Sequence, residues 1–156
     1  MNDRQSISDH TLPRSERLRS LGAVRRLFTE GEGGFVYPFR YMYHVTKPRT
    51  ECAGKADADG VVSDLVDNSS DGHAEGSVEV LFSVPKKFHK RANRRNLLKR
   101  RTREAYRLSR EALRRSVREA GVEIDMALVY SVKECQSYRS IAYAVQRILE
   151  RIRTRI

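Results

Sequence analysis

From Lys86 to Arg107 the chain reads KKFHKRANRRNLLKRRTREAYR, eleven Lys and Arg residues against one acid, Glu104. Extended to Arg118 the segment holds fifteen bases and two acids, Glu104 and Glu111. Cations at this density bind phosphate, because a polyanion that exchanges its counterions for them gains free energy. Alone they repel one another, so they are either solvated in a disordered tail or turned toward an anionic partner. The spacing separates the two. At about 100° per residue on a helix over residues 94–118, Leu97, Leu98, Ala105, Leu108 and Ala112 fall in one arc. Arg95, Lys99, Arg103, Arg107, Arg110 and Arg114 fall in another, which Asn96 and Arg100 extend. That division predicts a helix docked by its apolar side and displaying a ladder of cations. Arg101 intrudes on the apolar arc, where its stem can lie flat and its head reach water.

Other chemistry is sparse. Cys52 and Cys135 lack metal-ligand spacing and read as free thiols. His73 has no partner ligands nearby in sequence, and no Asp/Glu/His constellation on the expected elements suggests a two-metal site. A membrane-surface helix needs Trp, Phe or Leu opposite its cations, whereas this opposite arc is small, aliphatic and claimed by the core. A basic-region zipper needs heptads downstream, but the chain turns at Gly121 toward a strand. The N-terminus has no apolar h-region and no apolar run reaches the roughly 20 residues of a membrane span. The expectation is a cytoplasmic protein with no membrane partner.

The 156 residues suffice for one domain, with a net charge of +11 and a pI near 10.1. Residues 1–13 read as a flexible tail. Ser15 is the expected N-cap of a helix carrying Leu18, Leu21, Val24, Leu27 and Phe28, stopped by Gly31, Gly33 and Gly34. FVYPFRYMYHV, residues 35–45, alternates as a strand, with Pro38 at an edge or before the ladder. Residues 48–76 carry seven acids and two bases, and they read as a disordered insertion too poor in apolar surface to offset its ordering entropy. Without them the chain keeps 29 bases against 13 acids. SVEVLFSV gives a second strand, residues 122–132 a central third. Ile141, Val145, Ile148 and Ile152 mark a final helix. The order α-β-β-α-β-α predicts an α/β (α+β) two-layer sandwich on a small mixed sheet. Residues 14–156 then form a single RNA-binding domain interrupted by the acidic insertion.

SVPKK, RANRRN and LLKRRTREAY together resemble the signature of the protein component of bacterial ribonuclease P. RLRSLGAVRRLF followed by Gly31 is similar to that family's first helix, and IDMALVYS to its third strand. The resemblance covers roughly residues 14–47 and 77–152. By position, Lys86 and Lys87 match the Lys pair closing the strand, Arg95 and Asn96 the first two residues of the Arg-Asn-Arg triplet, Lys99 and Arg100 the Lys-Arg pair, and Arg103 the following Arg. Leu97 stands where the family usually has the second Arg. The fold implied is like the second domain of ribosomal protein S5, with a left-handed βαβ crossover against the general right-handed preference.

The function implied is a subunit that binds the catalytic RNA and the 5′ leader of precursor tRNA. The active site and its Mg²⁺ lie in the RNA partner and substrate, with no catalytic residue and no metal site in this chain and no obligate protein partner. Expected contacts to the catalytic RNA are Lys86, Lys87, Arg91, Arg94, Arg95, Asn96, Lys99, Arg100, Arg103 and Arg107. For the leader cleft two parities are open. Arg40, Met42 and His44 face it with Val24 and Phe28 if Phe39, Tyr41 and Tyr43 face the core; the opposite parity makes an aromatic stacking platform. We adopt the first. The alternative function is a ribosomal or RNA-chaperone-like binding protein with no part in catalysis.

Overall fold

Alternation along FRYMYHV assigns Phe39, Tyr41 and Tyr43 to one side of a strand, and the computed structural model, which describes residues 12–46 and 76–156, buries all three. That strand, β2 (Phe39–Thr46), lies in a four-stranded sheet with β1 (Glu32–Val36), β3 (Val78–Ser83) and β4 (Glu123–Tyr130), in the order β1-β2-β4-β3. The β1–β2 and β2–β4 pairs are antiparallel, and β3–β4 is parallel. A parallel pair needs a crossover, which α2 (Ala92–Ser109) and α3 (Glu111–Ala120) supply. Helices α1 (Leu21–Glu30) and α4 (Tyr138–Arg153) complete the fold.

The main core joins one sheet face to α2, α3 and α4. Leu98, Ala105, Tyr106, Leu113, Val117, Ile141, Val145, Ile148 and Ile152 pack over Phe39, Tyr41, Tyr43, Val80, Ile124, Met126 and Leu128. A smaller cluster on the other face sets Leu18, Ala23 and Leu27 on Ala127, with Val24, Met42 and Leu81 at its rim. So β4 is buried on both faces, as its continuous apolar run predicts for a central strand.

The structure redraws several boundaries. The strand expected over 35–45 is a hairpin folded at Tyr37–Pro38, a cis peptide. Proline offers no N–H to a ladder and its ring fixes φ, so it marks the turn. Gly33 and Gly34, expected to end the first helix, lie in β1. Helix α1 begins at Leu21, capped by Ser20, whose hydroxyl accepts from the Ala23 N–H at 3.4 Å. Ser15 sits instead in a 3-10 turn, Arg14–Glu16. Leu18 reaches the core from an extended segment laid along β3, its N–H donating to the Val80 carbonyl.

The helix expected over 94–118 is two helices meeting at Arg110. The buried arc is centred away from the expected one: Leu98, Thr102, Ala105, Tyr106, Leu113 and Val117 turn inward, while Leu108 is 61% exposed and Ala112 is exposed. Leu97 is also outside the core, next to fully buried Leu98. Helix α3 ends at Gly121, whose φ of 60° is the left-handed cap that glycine adopts without a Cβ clash. The expected N-terminal tail, apart from buried Leu12 and Pro13, and the acidic insertion, apart from Gly76, lie outside the described residues.

Thr46 pairs with Glu123 and Val78 with Ile124, so β2 ends and β3 begins on either side of the same end of β4. Two strand spacings, about 10 Å, separate those ends. A Gly-Ser linker of about six residues spans that distance. Replacing residues 48–75 with one is expected to preserve the fold and raise stability by about 1 kcal/mol through a smaller closure entropy. Urea denaturation checks it; a collapse of the cooperative transition would show that the segment carries part of the core.

Candidate RNA interface

Helix α2 starts against its own electrostatics. Arg91 occupies the N-cap without a capping side chain, and the first turn contains no acid. Cations at the positive end of a helix dipole are each unfavourable by about 0.3–1 kcal/mol. Packing supplies what the end lacks: Leu98, Thr102, Ala105 and Tyr106 bury the inner side. The loop before it is pinned as well. His89 is buried, its Nε2 at 3.0 Å from the Val132 carbonyl and its ring 5.4 Å from that of Tyr130. Arg95 Nη1 donates to the carbonyls of His89 at 3.0 Å and Lys90 at 2.6 Å.

The outer side of this unit carries most of the expected contacts. Lys86 and Lys87 stand exposed on the turn after β3, and Arg91, Arg94, Asn96, Arg100 and Arg103 are exposed along α2. Lys99 is half-buried beside them, and Arg103 lies 6.0 Å from the Phe82 ring. Arg107 is half-buried and bridged to Glu104 at 3.0 and 2.7 Å. Arg101, as its position in the apolar arc suggests, lies along the core, its Nη1 donating to the Gln136 carbonyl at 2.8 Å.

Arg110 and Arg114 leave the cationic arc. Arg110 is buried and bridged to buried Glu16 at 2.5 Å, and Arg114 Nε lies 3.5 Å from the same carboxylate. Both side chains are engaged by Glu16 of the Arg14–Glu16 turn, so the ladder ends at Arg107.

The second surface lies between α1 and the far sheet face. Its parity is the one adopted from sequence: with Phe39, Tyr41 and Tyr43 in the main core, Arg40, Met42 and His44 face α1. Arg40 is exposed, Met42 and His44 are half-buried, Val24 borders the small cluster, and Phe28 is 47% exposed. Next to them a cavity of about 420 Å³ is lined by Gly31, Gly33, Gly34, Phe35, Arg40 and Met42. A Cβ on Gly33 would lie 2.7 Å from the Tyr41 carbonyl oxygen, so the floor here must be bare backbone.

Two residues of this surface were not legible in sequence. A straight strand over 35–45 would set Phe35 on the side of Tyr41, but the fold-back at Pro38 pairs it with Arg40 and so sets it on the cleft face, 54% exposed. Asp125 pairs with His44 across the ladder. Burial raises its carboxyl above the usual range, while Arg26 and His44 pull it down. The Pro38 break was the available signal for Phe35; nothing in the sequence marked Asp125. His44 also lies 3.8 Å from Glu30.

A mixed α/β sheet with a cation-studded crossover helix on one flank and a half-open cleft on the other defines a nucleic-acid-binding protein. A family model described as Ribonuclease P matches residues 12–153, and the chain belongs to the ribonuclease P protein family. The ribonuclease P protein component of a Porphyromonas gingivalis strain is 29% identical over 141 residues, 90% of this chain and 85% of that protein. That of Chlorobaculum tepidum is 35% identical over 111 residues, 69% of this chain and 56% of that protein. Among solved structures, the ribonuclease P protein of Thermotoga maritima aligns with a TM-score of 0.56 at 19% identity, covering 87% of this chain and 96% of that one. That of Staphylococcus aureus gives 0.53 at 13%, covering 89% and 96%. These two likenesses speak for the fold. Family membership makes the chain a subunit of a tRNA-processing ribonucleoprotein and implies association with its RNA. Among the described residues no helix is long and apolar enough to cross a membrane, and no group of three or more His, Cys, Asp or Glu could hold a metal ion.

Proposed function

We propose that the outer side of α2 with its preceding turn docks on the catalytic RNA through Lys86, Lys87, Arg91, Arg94, Arg95, Asn96, Lys99, Arg100, Arg103 and Arg107. The α1–sheet cleft holds the 5′ leader of precursor tRNA through Val24, Phe28, Arg40, Met42 and His44, joined by Phe35. The observation that carries this reading is the row of exposed cations on a helix whose opposite side is locked into the core. The protein's own work is binding and orientation. Phosphate contacts along α2 fix it on the RNA. In the cleft, Arg40 meets backbone phosphate while Phe28 and Phe35 offer faces to unpaired bases. Mg²⁺ belongs to the RNA and substrate in this reading, where it would activate water and stabilise charge on the scissile phosphate. A cytoplasmic location goes with it, since precursor tRNA is made there.

Reconstitution tests the proposal. Added to its cognate catalytic RNA at low Mg²⁺, the protein should strongly raise cleavage of precursor tRNA at the mature 5′ end. Without stimulation, the alternative of a ribosomal or chaperone-like RNA-binding protein takes its place. Within the reconstituted enzyme, Phe28→Ala is expected to weaken binding of leader-bearing precursor about fivefold or more, as loss of one stacked base would. Leaderless tRNA should bind unchanged. Equal weakening of both would move the leader out of this cleft.

A further inference from the structure

Helix α4 packs beside α2 on the same sheet face and repeats its charge pattern. Its inner side, Ile141, Ala144, Val145, Ile148, Leu149 and Ile152, is buried. From Tyr138 to Arg155 the chain carries five bases, Arg139, Arg147, Arg151, Arg153 and Arg155, against one acid, Glu150. All six are exposed, whereas an ordinary solvated helix side mixes its signs more evenly.

In the middle of that side stands Tyr143, 61% exposed. The Arg147 guanidinium lies 5.7 Å from its ring centroid and donates to its hydroxyl at 3.0 Å. Such a tyrosine–arginine pair offers a planar surface for a base next to a cation for its phosphate. Arg139, Tyr143, Arg147 and Arg151 recur every fourth residue and therefore form one stripe, with steps of about 6 Å.

The stripe leads to the cleft. Arg151 Nη1 donates to the Phe35 carbonyl at 3.5 Å, and Arg155 Nη1 reaches Glu32 at 2.9 Å. Both partners are on β1, the edge strand that also borders the α1–sheet cleft through the Phe35 ring. Exposed Tyr37 follows at the hairpin tip, its hydroxyl donating to Glu134 at 3.3 Å. Two carboxylates lie along this edge, Glu32 and Glu134, and both already accept hydrogen bonds.

We propose that the outer stripe of α4 binds single-stranded RNA that leaves the cleft over β1, so that the distal part of a long leader stacks on Tyr143 and pairs its phosphates with Arg139, Arg147 and Arg151. This rests on the leader reading of the cleft.

The test uses enzyme reconstituted from the full chain and two precursors. One has a leader of about 5 nucleotides, the other a leader about 15 nucleotides longer, the scale of a single-stranded binding site. Tyr143→Ala should weaken binding of the long-leader precursor about fivefold or more and leave the short one unchanged. Tyr143→Phe, which keeps the ring, should bind both like the parent. Arg147→Ala should lower the salt slope by about one unit for the long leader alone. If Tyr143→Ala leaves both affinities unchanged, or weakens both equally, the proposal is overturned. Phe28→Ala separates the two readings, because it should weaken both precursors. Should it weaken neither while Tyr143→Ala keeps its selective effect, the α4 site stands and the cleft assignment falls.

Discussion

Replacing Lys99, Arg100 and Arg103 together by alanine is expected to lower affinity for the catalytic RNA roughly a hundredfold at physiological salt. It should also take about 2 to 3 units from the slope of log affinity against log salt. These side chains occupy the middle of α2, and none has an ion-pair partner among the described residues. Each phosphate they engage releases about one counterion, so their removal is read in the slope as well as in the affinity. Stability should hold or rise slightly, since alanine is the better helix former and three mutually repelling charges disappear. Filter binding across a salt series, with melting curves on the same samples, measures both. An unchanged slope would remove this stretch of α2 from the interface. Arg95 is a poorer probe, because its guanidinium also holds the His89 and Lys90 carbonyls. Arg95→Ala should loosen that loop and lower affinity by a route that the slope does not isolate.

The second large effect concerns folding. Arg110→Ala should cost about 3 kcal/mol, because it leaves the Glu16 carboxylate buried with only the more distant Arg114 to balance it. In a domain of this size that lowers the melting temperature by roughly 10 °C. Pairing Arg110→Met with Glu16→Leu should recover most of the loss, since a buried ion pair is often replaceable by apolar side chains of similar volume. Nearby Tyr106→Phe provides the contrast. Burial pushes the Tyr106 phenol well up, and its hydroxyl has no hydrogen-bond partner among the described residues, so its removal should be almost neutral. A melting temperature for Arg110→Ala within a degree or two of the parent would mean that solvent screens the pair. The pair also bears on binding, because the Arg14–Glu16 turn it anchors leads directly into α1 and the cleft.

How much of this could be read in advance depended on the range of the interaction concerned. The two-sidedness of α2 was legible because it is written into one stretch at helical period: Leu98, Ala105 and the exposed Arg100 and Arg103 lie where that period assigns them, although Leu97, Leu108 and Ala112 do not. Alternation along β2 separated Phe39, Tyr41 and Tyr43 from Arg40, Met42 and His44, although choosing between the two faces needed a chemical argument about clefts. Phe35 was out of reach of that alternation, because the chain reverses at Pro38 instead of running straight. One reversal at that residue moved the ring to the opposite face.

Composition and periodicity on their own determined that this chain is basic, of the α/β class, and carries a helix with a cationic side and an apolar side. Free energies that set those features are local: side-chain spacing, turn chemistry and mutual repulsion among neighbouring charges. Tertiary packing alone decided which arginines remain available to a ligand. In sequence Arg95, Arg100 and Arg110 all belong to the extended cationic arc, yet one caps a loop, one meets solvent and one is buried with a carboxylate 94 residues away. Helical period alone does not assign these fates, because a guanidinium's role depends on what the rest of the chain brings within about 4 Å of it.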